Sequence, residues 1–339
     1  MATIKEISEK ANVSIATVSK VLNGKGRVTD QTRQHILDIA NELNYRPNLY
    51  ARNLKAKSTK TIGIITEDLT VFNAPEIVDG IAATCEENGY HYILGNLRLF
   101  KLYGNGPKDP VRTKAITQEV VDHMISNQVD GIIYIGYHSH LIVSPTDHHG
   151  TRFVYAYCTS EDKSVPSILY NEEKAAYEAT ELLLEHNPAK LGMVTGLPDS
   201  PHSISRIRGF QKAMFDHAIP YDPTLTIAGD WDRDSGYEAA EILIPQGVNA
   251  IFAHNDVMAS GIIDYCNNNG IQVGKDVFLI GFDNREIASV CRPTLTTVAL
   301  PLFEIGQTAA TQLIDMLAGK EVSESNLLLD CTIIRRESA

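Results

Sequence analysis

The chain has 339 residues, 43% of them hydrophobic and 21% charged, with a formal net charge of −12. This is the composition of an ordinary soluble globular protein with room for two or three domains. No apolar run approaches the roughly 20 residues that a membrane span needs, and the opening MATIKEISEK has no apolar signal segment, so a cytoplasmic protein with no membrane partner is expected. The five cysteines, Cys85, Cys158, Cys266, Cys291 and Cys331, are odd in number and form no CxxC pair, which excludes a disulfide framework and a zinc ribbon. No cofactor and no structural metal are expected.

The charge is unevenly placed. Residues 1–60 hold 11 basic and 5 acidic side chains, a net +6, while the remainder holds 19 basic and 37 acidic ones, a net −18. A basic head on an acidic body points to a polyanion-binding module joined to something that avoids polyanions.

In chain order, Thr3 and Glu6 have capping-box spacing, and Ile4, Ile7 and Ala11 then fall on one face of a short helix. After the break at Asn12-Val13, Ser14 can cap a second helix, SIATVSKVLN, that turns Val18, Val21 and Leu22 inward. Its first turn and outer face present Ile15, Ala16, Thr17, Ser19 and Lys20, short or hydrogen-bonding side chains suited to base edges and phosphates, with no acid among them. A third helix is predicted from Thr29 to Asn44, with Ile36, Ile39, Ala40 and Leu43 on one side. Two short helices, a tight turn and a supporting third helix describe a helix-turn-helix.

Pro47 ends that unit, Asn48 is a good helix cap, and Leu49 to about Ala56 could form two helical turns. So short a helix is marginal in water and needs a partner to order it. From Thr61 onward short apolar runs alternate with amphipathic stretches. The predicted strands are TIGIIT, HYILGN, GIIYIG, FVYAYC, KLGMVTG, LTIAGD, AIFAHN and VFLIGF. Helices are predicted at PEIVDGIAATCEENG, EEKAAYEATELLLEH, SRIRGFQKAMFDHA and DVMASGIIDYCNNNG. Such alternation means parallel α/β units, and this many mean two sheets, whose ligands bind beyond the carboxyl ends of the strands.

At those ends stand residues with binding chemistry. Arg206 offers a planar fork of donors, Asn255 both a donor and an acceptor, and Asp283 an acceptor for hydroxyls. Trp231, the single tryptophan, follows Gly-Asp at a strand end, where a flat apolar face can stack on a sugar ring. Phe72 and Asn73 follow the first strand and can line the opposite side, with Tyr155 or Tyr157 nearby. Hydroxyl binders with one stacking ring favour a sugar over a nucleobase or an amino acid. Two segments lack an assignment: the Gly- and Pro-containing stretch 97–115, read as a surface loop or specificity lid, and the histidine-rich 138–149, which has no metal-binding spacing.

Much of the chain resembles the lactose-repressor/galactose-repressor (LacI/GalR) family of bacterial transcription regulators. The head carries the resemblance in TIKEISEKANVSIATVSKVLNGKGRVTDQTRQHILDIANELNYRPNLYARNLKAKSTKTIGII, and the body in SRIRGFQKAM, GDWDRDSGYEA, AIFAHNDVMASG, LIGFDN and RPTLTTV. The resemblance implies a helix-turn-helix domain at 1–46, a hinge helix at 47–60, and a two-lobed effector and dimerisation domain at 61–339, its second lobe spanning about 170–292. By it, Ser14, Thr17, Ser19, Asn23, Thr29 and Tyr45 would hold phosphates, while Ile15, Ala16 and Lys20 would meet base edges. Leu54 would wedge into the minor groove, with Asn48 capping the hinge helix and Lys55 at the backbone.

The same resemblance implies a homodimer on double-stranded palindromic operator DNA. A small-molecule effector, a mono- or oligosaccharide, would lie among Phe72, Asn73, Tyr157, Arg206, Trp231, Asn255 and Asp283. Where sugar-responsive relatives offer a polar side chain after LTTV, this chain has Ala-Leu-Pro, so Leu300 cannot donate there. The ending TIIRRESA has no leucine-heptad extension, so a dimer rather than a tetramer is expected. A transport protein and a sugar-modifying enzyme are the rival readings. The basic head argues against the first, and the lack of a G-x-S-x-G elbow or a phosphate-cradling loop argues against the second.

Overall fold

The computed structural model describes residues 2–22, 24, 28–45, 58–104, 106, 108–138, 140–142, 150–320 and 326–339. Asn23, most of the expected hinge with Asn48, Leu54 and Lys55, and residues 143–149 of the histidine-rich stretch lie outside these. The chain divides into two compact units, Met1–Thr59 and Lys60–Ala339.

Among the described residues of the first unit three helices, α1 (Ile4–Lys10), α2 (Ile15–Leu22) and α3 (Asp30–Glu42), enclose a core of Ile7, Val18, Val21, Ile36 and Ile39. The capping box forms as its spacing predicts: Glu6 N–H donates to Thr3 Oγ1 at 3.3 Å and Thr3 N–H to Glu6 Oε2 at 2.8 Å. The turn into α2 passes through Asn12 at φ 51°, a left-handed conformation that asparagine tolerates better than most residues. Fully burying each core side chain contributes roughly 1.5–3 kcal/mol. The exposed Lys10–Glu42 pair, 2.6 Å apart, adds at most about 1 kcal/mol. Packing therefore holds this unit together.

The second unit is two-lobed. One six-stranded sheet has the order β13-β7-β5-β3-β1-β2 and the other β14-β12-β11-β10-β8-β9; a two-stranded ribbon pairs β4 (Leu141–Ile142) with β6 (Thr159–Ser160). The first sheet comprises β1 (Thr61–Thr66), β2 (His91–Asn96), β3 (Gly131–Ile135), β5 (Arg152–Ala156), β7 (Ser167–Tyr170) and β13 (Asn326–Leu329), all paired in parallel. The second comprises β8 (Leu191–Thr195), β9 (Thr226–Ala228), β10 (Ala250–Ala253), β11 (Phe278–Asp283), β12 (Thr296–Ala299) and β14 (Thr332–Ile334), of which only β14 runs antiparallel. Central strands β3, β8 and β10 are buried along their whole length, as strands covered by helices on both faces must be.

Helices α4 (Asn73–Glu87) and α12 (Leu302–Leu317) pack together in the first lobe. A Cβ on Gly80 would strike the carbonyl of Phe303, and one on Gly306 the carbonyl of Ile77, so the two backbones cross in direct contact. In the second lobe α7 (Glu172–Leu184) packs on α8 (Pro201–Asp216), and α9 (Arg233–Leu243) on α10 (Asp256–Asn268). The chain passes between lobes after Tyr170, after Ala299 and after Leu329. The second lobe therefore extends past residue 292 through β12 and regains β14.

One expectation needs correction. The stretch 97–115 is no featureless loop: it holds α5 (Leu99–Tyr103) and opens α6 (Pro110–Ser126). Asp109 accepts from Val111 and Arg112 N–H at 3.0 and 3.2 Å, and Pro110 occupies the first helical position, where its missing N–H costs nothing. Short α11 (Glu286–Val290) comes after β11. Among the described residues no helix is long and apolar enough to cross a membrane.

Candidate ligand cleft and nucleic-acid interface

The parallel strands of both sheets end at the region between the lobes, so residues just after them converge there. Four of them hold a left-handed backbone: Tyr157 at φ 62°, Trp231 at 78°, Asp283 at 99° and Asn284 at 51°. Such conformations cost on the order of 1–3 kcal/mol each outside glycine and persist where the surroundings over-determine them, typically at binding sites.

The centre is a buried polar cluster. Arg206, from α8, donates through Nε to Glu172 Oε1 at 2.7 Å, through one terminal nitrogen to the His254 carbonyl, and through the other to Tyr170 Oη at 3.2 Å. Asp283 Oδ1 lies 3.7 Å from that last nitrogen, and the guanidinium covers the Phe282 ring at 3.7 Å. Burial would push the Glu172 carboxyl up, but His202 and Arg206 outweigh it and hold the group down at about 2. Burial lowers the Arg206 guanidinium too, and Glu172, Tyr170 and Asp283 more than reverse this. Asp283 behaves differently: burial prevails over Arg206 and His202 and raises it to about 6. Burial, with Arg206 nearby, keeps His254 neutral.

The residues expected to hold a ligand differ in the partners they have within the protein. Asn255 uses its amide on the protein: Oδ1 caps α10 by accepting from Met258 N–H at 2.7 Å, and Nδ2 donates to the Trp231 carbonyl at 2.9 Å. That second bond helps to hold Trp231, whose indole lies directly over Gly196. Asn73 is fully buried, donates to the Gly136 carbonyl at 2.9 Å and leaves Oδ1 without a partner among the described residues. Ser203 Oγ is likewise buried and without a partner among them. Tyr157 turns toward this region and stacks with Tyr170 at 5.5 Å, whereas Tyr155 packs with Phe153 and Tyr134 in the first-lobe core.

A cavity of about 290 Å³ opens between the lobes, lined by Phe72 and Glu76 on one side and by Asp283, Asn284, Arg285 and Glu286 on the other, with Leu300 at the crossover. The Arg285 guanidinium sits over the Phe72 ring at 5.3 Å and bridges the lobes. Of the seven expected contacts, Phe72 and Asp283 line this cavity, Arg206 forms the centre of the adjoining polar cluster with Trp231, Asn255 and Tyr157 around it, and Asn73 is buried in the first lobe against Gly136. Tyr170, Glu172, His202, Ser203 and His254 escape a reading of the sequence. The one signal for His202 and Ser203 is a polar helix start, Pro201-His202-Ser203, shortly after a strand.

The segment 97–115 is anchored beside this region. Lys108 Nζ lies 3.6 Å from buried Glu67 Oε1 and 3.1 Å from His140 Nε2, and His140 Nε2 is itself 3.2 Å from the same carboxylate. Burial raises Glu67, but His140 and Lys108 bring it below the ordinary value. His138 instead packs on Tyr137 and on His202 of the other lobe. Among the described residues no group of three or more such side chains is arranged to hold a metal.

In the first unit, Ser14 accepts from Thr17 N–H at 3.1 Å and shares a hydroxyl–hydroxyl bond with it at 2.8 Å. Thr29 caps α3 through Thr32 in the same way. Ile15, Ala16 and Lys20 project outward, Ile15 being 52% exposed despite its apolar chain. Thr17, Ser19 and Tyr45 are half-buried at its border.

Comparison with known proteins decides what this pair of units is. Residues 3–48 match the model of bacterial regulatory proteins of the lacI family, and residues 170–339 match the periplasmic binding protein-like domain. The chain is 30% identical over 340 residues to the HTH-type transcriptional repressor CytR of Escherichia coli (strain K12), an alignment covering 99% of this chain and 96% of CytR. The chain belongs to the lacI family of bacterial regulatory proteins. A second relative in that family, the HTH-type transcriptional regulator RegA of Clostridium saccharobutylicum, is 33% identical over 347 residues, covering 100% of this chain and 99% of RegA. The Lac repressor dimer bound to operator and the anti-inducer ONPF shares the fold, with a TM-score of 0.79 at 24% identity over 99% of this chain and 98% of that one. As a lacI-family protein, the chain is a DNA-binding transcription regulator with an effector-binding domain and not an enzyme.

Proposed function

We propose that this regulator binds a palindromic operator as a homodimer and that a sugar held between the lobes sets its affinity for DNA. Ile15, Ala16 and Lys20 of α2 read base edges, Ile15 and Ala16 through apolar contact such as a thymine methyl and Lys20 through guanine O6 or N7. Ser14, Thr17, Ser19, Asn23, Thr29 and Tyr45 hold phosphates and fix register. Asn48, Leu54 and Lys55 form the hinge, Leu54 wedging between base steps; unstacking a step costs a few kcal/mol, offset by contacts to the bent duplex.

The observation that carries this reading is the outward, acid-free face of α2, with Ile15 52% exposed on a net-basic head. The sugar assignment draws on the four left-handed residues around the cleft, on the acceptors Asp283 and Asn73 Oδ1, and on Trp231 as a stacking face. A transcriptional regulator of the same fold, CelR, has been solved as a cellobiose complex. Sugar binding changes the closure of the lobes and thereby the spacing of the two hinges, a coupling typically of about 1–3 kcal/mol. The test is operator binding at fixed salt with a panel of mono- and disaccharides. A sugar that shifts operator affinity at least about fivefold supports the reading, and a panel without effect removes the sugar.

A further inference from the structure

A second cavity, of about 300 Å³, opens on the first lobe, where the start of α6 and strand β4 meet the ends of β1 and β3. Among the described residues it shares no lining side chain with the cavity between the lobes. Its wall is mostly apolar, formed by Pro110, Val111, Leu141, Ile142 and the buried Tyr134 ring, and Val111 and Leu141 leave much of their apolar surface open to water. An apolar wall with a few fixed polar groups is the usual character of a small-molecule site. The charged groups on this wall are Glu67, Lys108 and Lys114. Glu67 is fully engaged: Oε1 accepts from Tyr134 Oη at 3.2 Å and lies 3.2 Å from His140 Nε2 and 3.6 Å from Lys108 Nζ, while Oε2 accepts from Tyr137 N–H at 3.0 Å. A cationic ligand would have to expel Lys108 to reach it. Lys114 is half-buried and has no ion-pair or hydrogen-bond partner among the described residues. Asp109, at the cap of α6, turns Oδ1 to the Val111 and Arg112 N–H groups and does not line the cavity. The unmatched charge of the wall is therefore positive.

We propose that this cavity is a second small-molecule site, which takes a carboxylate carried on an aromatic or branched aliphatic body. Lys114 pairs with the carboxylate, and the apolar wall covers the body. This site stands apart from the sugar reading of the cleft and shares none of its residues. One ammonium against one carboxylate on a half-buried wall changes binding by about fivefold. Withdrawing a ring or an isobutyl group from water changes it by about tenfold or more.

The test is calorimetric titration of the full-length protein at fixed ionic strength. The probes are benzoate, phenylacetate and isovalerate, with acetate as the carboxylate that lacks a body, and the amides of the first three and benzylamine as bodies that lack the anion. At least one of the first three is expected to bind about tenfold more tightly than acetate and about fivefold more tightly than its own amide. In Lys114→Gln the advantage over the amide shrinks to about twofold or less, and in Lys114→Glu benzylamine becomes the tighter ligand. Lys114 makes no bond that the fold depends on, so both variants keep the wild-type melting curve. Absence of saturable binding by any carboxylate overturns the proposal, and so does an amide or amine that equals its carboxylate on the wild type. An advantage over the amide that survives intact in Lys114→Gln also overturns it, by placing the carboxylate at another cation such as Arg285 in the cleft. None of these results bears on the sugar reading.

Discussion

Arg206 and Glu172 meet at 2.7 Å inside the protein, each almost wholly shielded from water, at the place where the chain leaves the first lobe for the second. Removing one member of such a pair leaves a buried charge uncompensated, which is strongly destabilising, whereas the intact pair need add little by itself. Glu172→Gln is therefore expected to lower unfolding stability at neutral pH by roughly 3 kcal/mol, read from urea melts. The pH dependence has a definite sign. The folded Glu172 carboxyl lies at about 2, below its usual 4.5, so its contribution is complete above the usual value and vanishes as pH falls toward 2. The variant should lose that acid limb, and a wild-type limb of equal size in Glu172→Gln would show that the pair is not responsible.

Asp256 predicts the opposite slope. It is buried at the start of α10, accepting from Thr297 Oγ1 at 2.5 Å and from Arg285 N–H at 2.7 Å, yet burial, with Asp283 nearby, raises its carboxyl to about 8. The folded state thus keeps a proton that the unfolded chain releases near 3.8, and stability falls as pH rises between those values. Asp256→Asn cannot titrate. Stability differences between wild type and this variant should move in the variant's favour by about 2 kcal/mol or more from mildly acidic to mildly alkaline pH. A constant difference across that range would mean that Asp256 is ionised in the fold.

These two carboxylates also mark where sequence reading stops. The α/β alternation is legible because central strands such as β3 and β10 are buried on both faces and read as continuous apolar runs. Short β7, β12, β13 and β14 are not, since three or four residues carry no distinctive period and are placed by the sheets they join; the helix α12 also goes unread. Pro110 looks like a loop marker although it opens α6, because a proline at the first helical position and one in a turn are alike without the Asp109 cap. In the cleft, Trp231 and Asp283 are visible from their positions after strands. Glu172 looks like any acid in a first helical turn. Its importance arises from Arg206 and His202, some thirty residues away, which only the folded chain brings within 3 Å.

The single tryptophan provides a direct reporter of the cleft. Trp231 lies over Gly196, and any side chain at 196 would run into the indole. Gly196→Ala should therefore displace the ring, changing the tryptophan emission of the free protein, and weaken effector binding by about tenfold through loss of the stacking face. Emission of the wild type should in turn change on effector binding. Unaltered emission together with unaltered affinity in Gly196→Ala would exclude Trp231 from the binding surface.

At the other end of the chain, Lys20 and Ser14 should fail in different ways. Lys20 projects from α2 with no cap to maintain, so Lys20→Ala is expected to cost roughly 1–3 kcal/mol on the preferred operator and much less on variants at one base pair, relaxing specificity there. Ser14 both caps α2, through Thr17 N–H at 3.1 Å, and is assigned a phosphate, so Ser14→Ala should weaken every operator variant about equally and lower the stability of the head by about 1 kcal/mol. Binding isotherms against a set of single-base operator variants, all at one salt concentration, separate the two patterns. If Lys20→Ala lowered affinity uniformly and left the base preferences unchanged, Lys20 would be a phosphate contact and base reading would fall to Ile15 and Ala16.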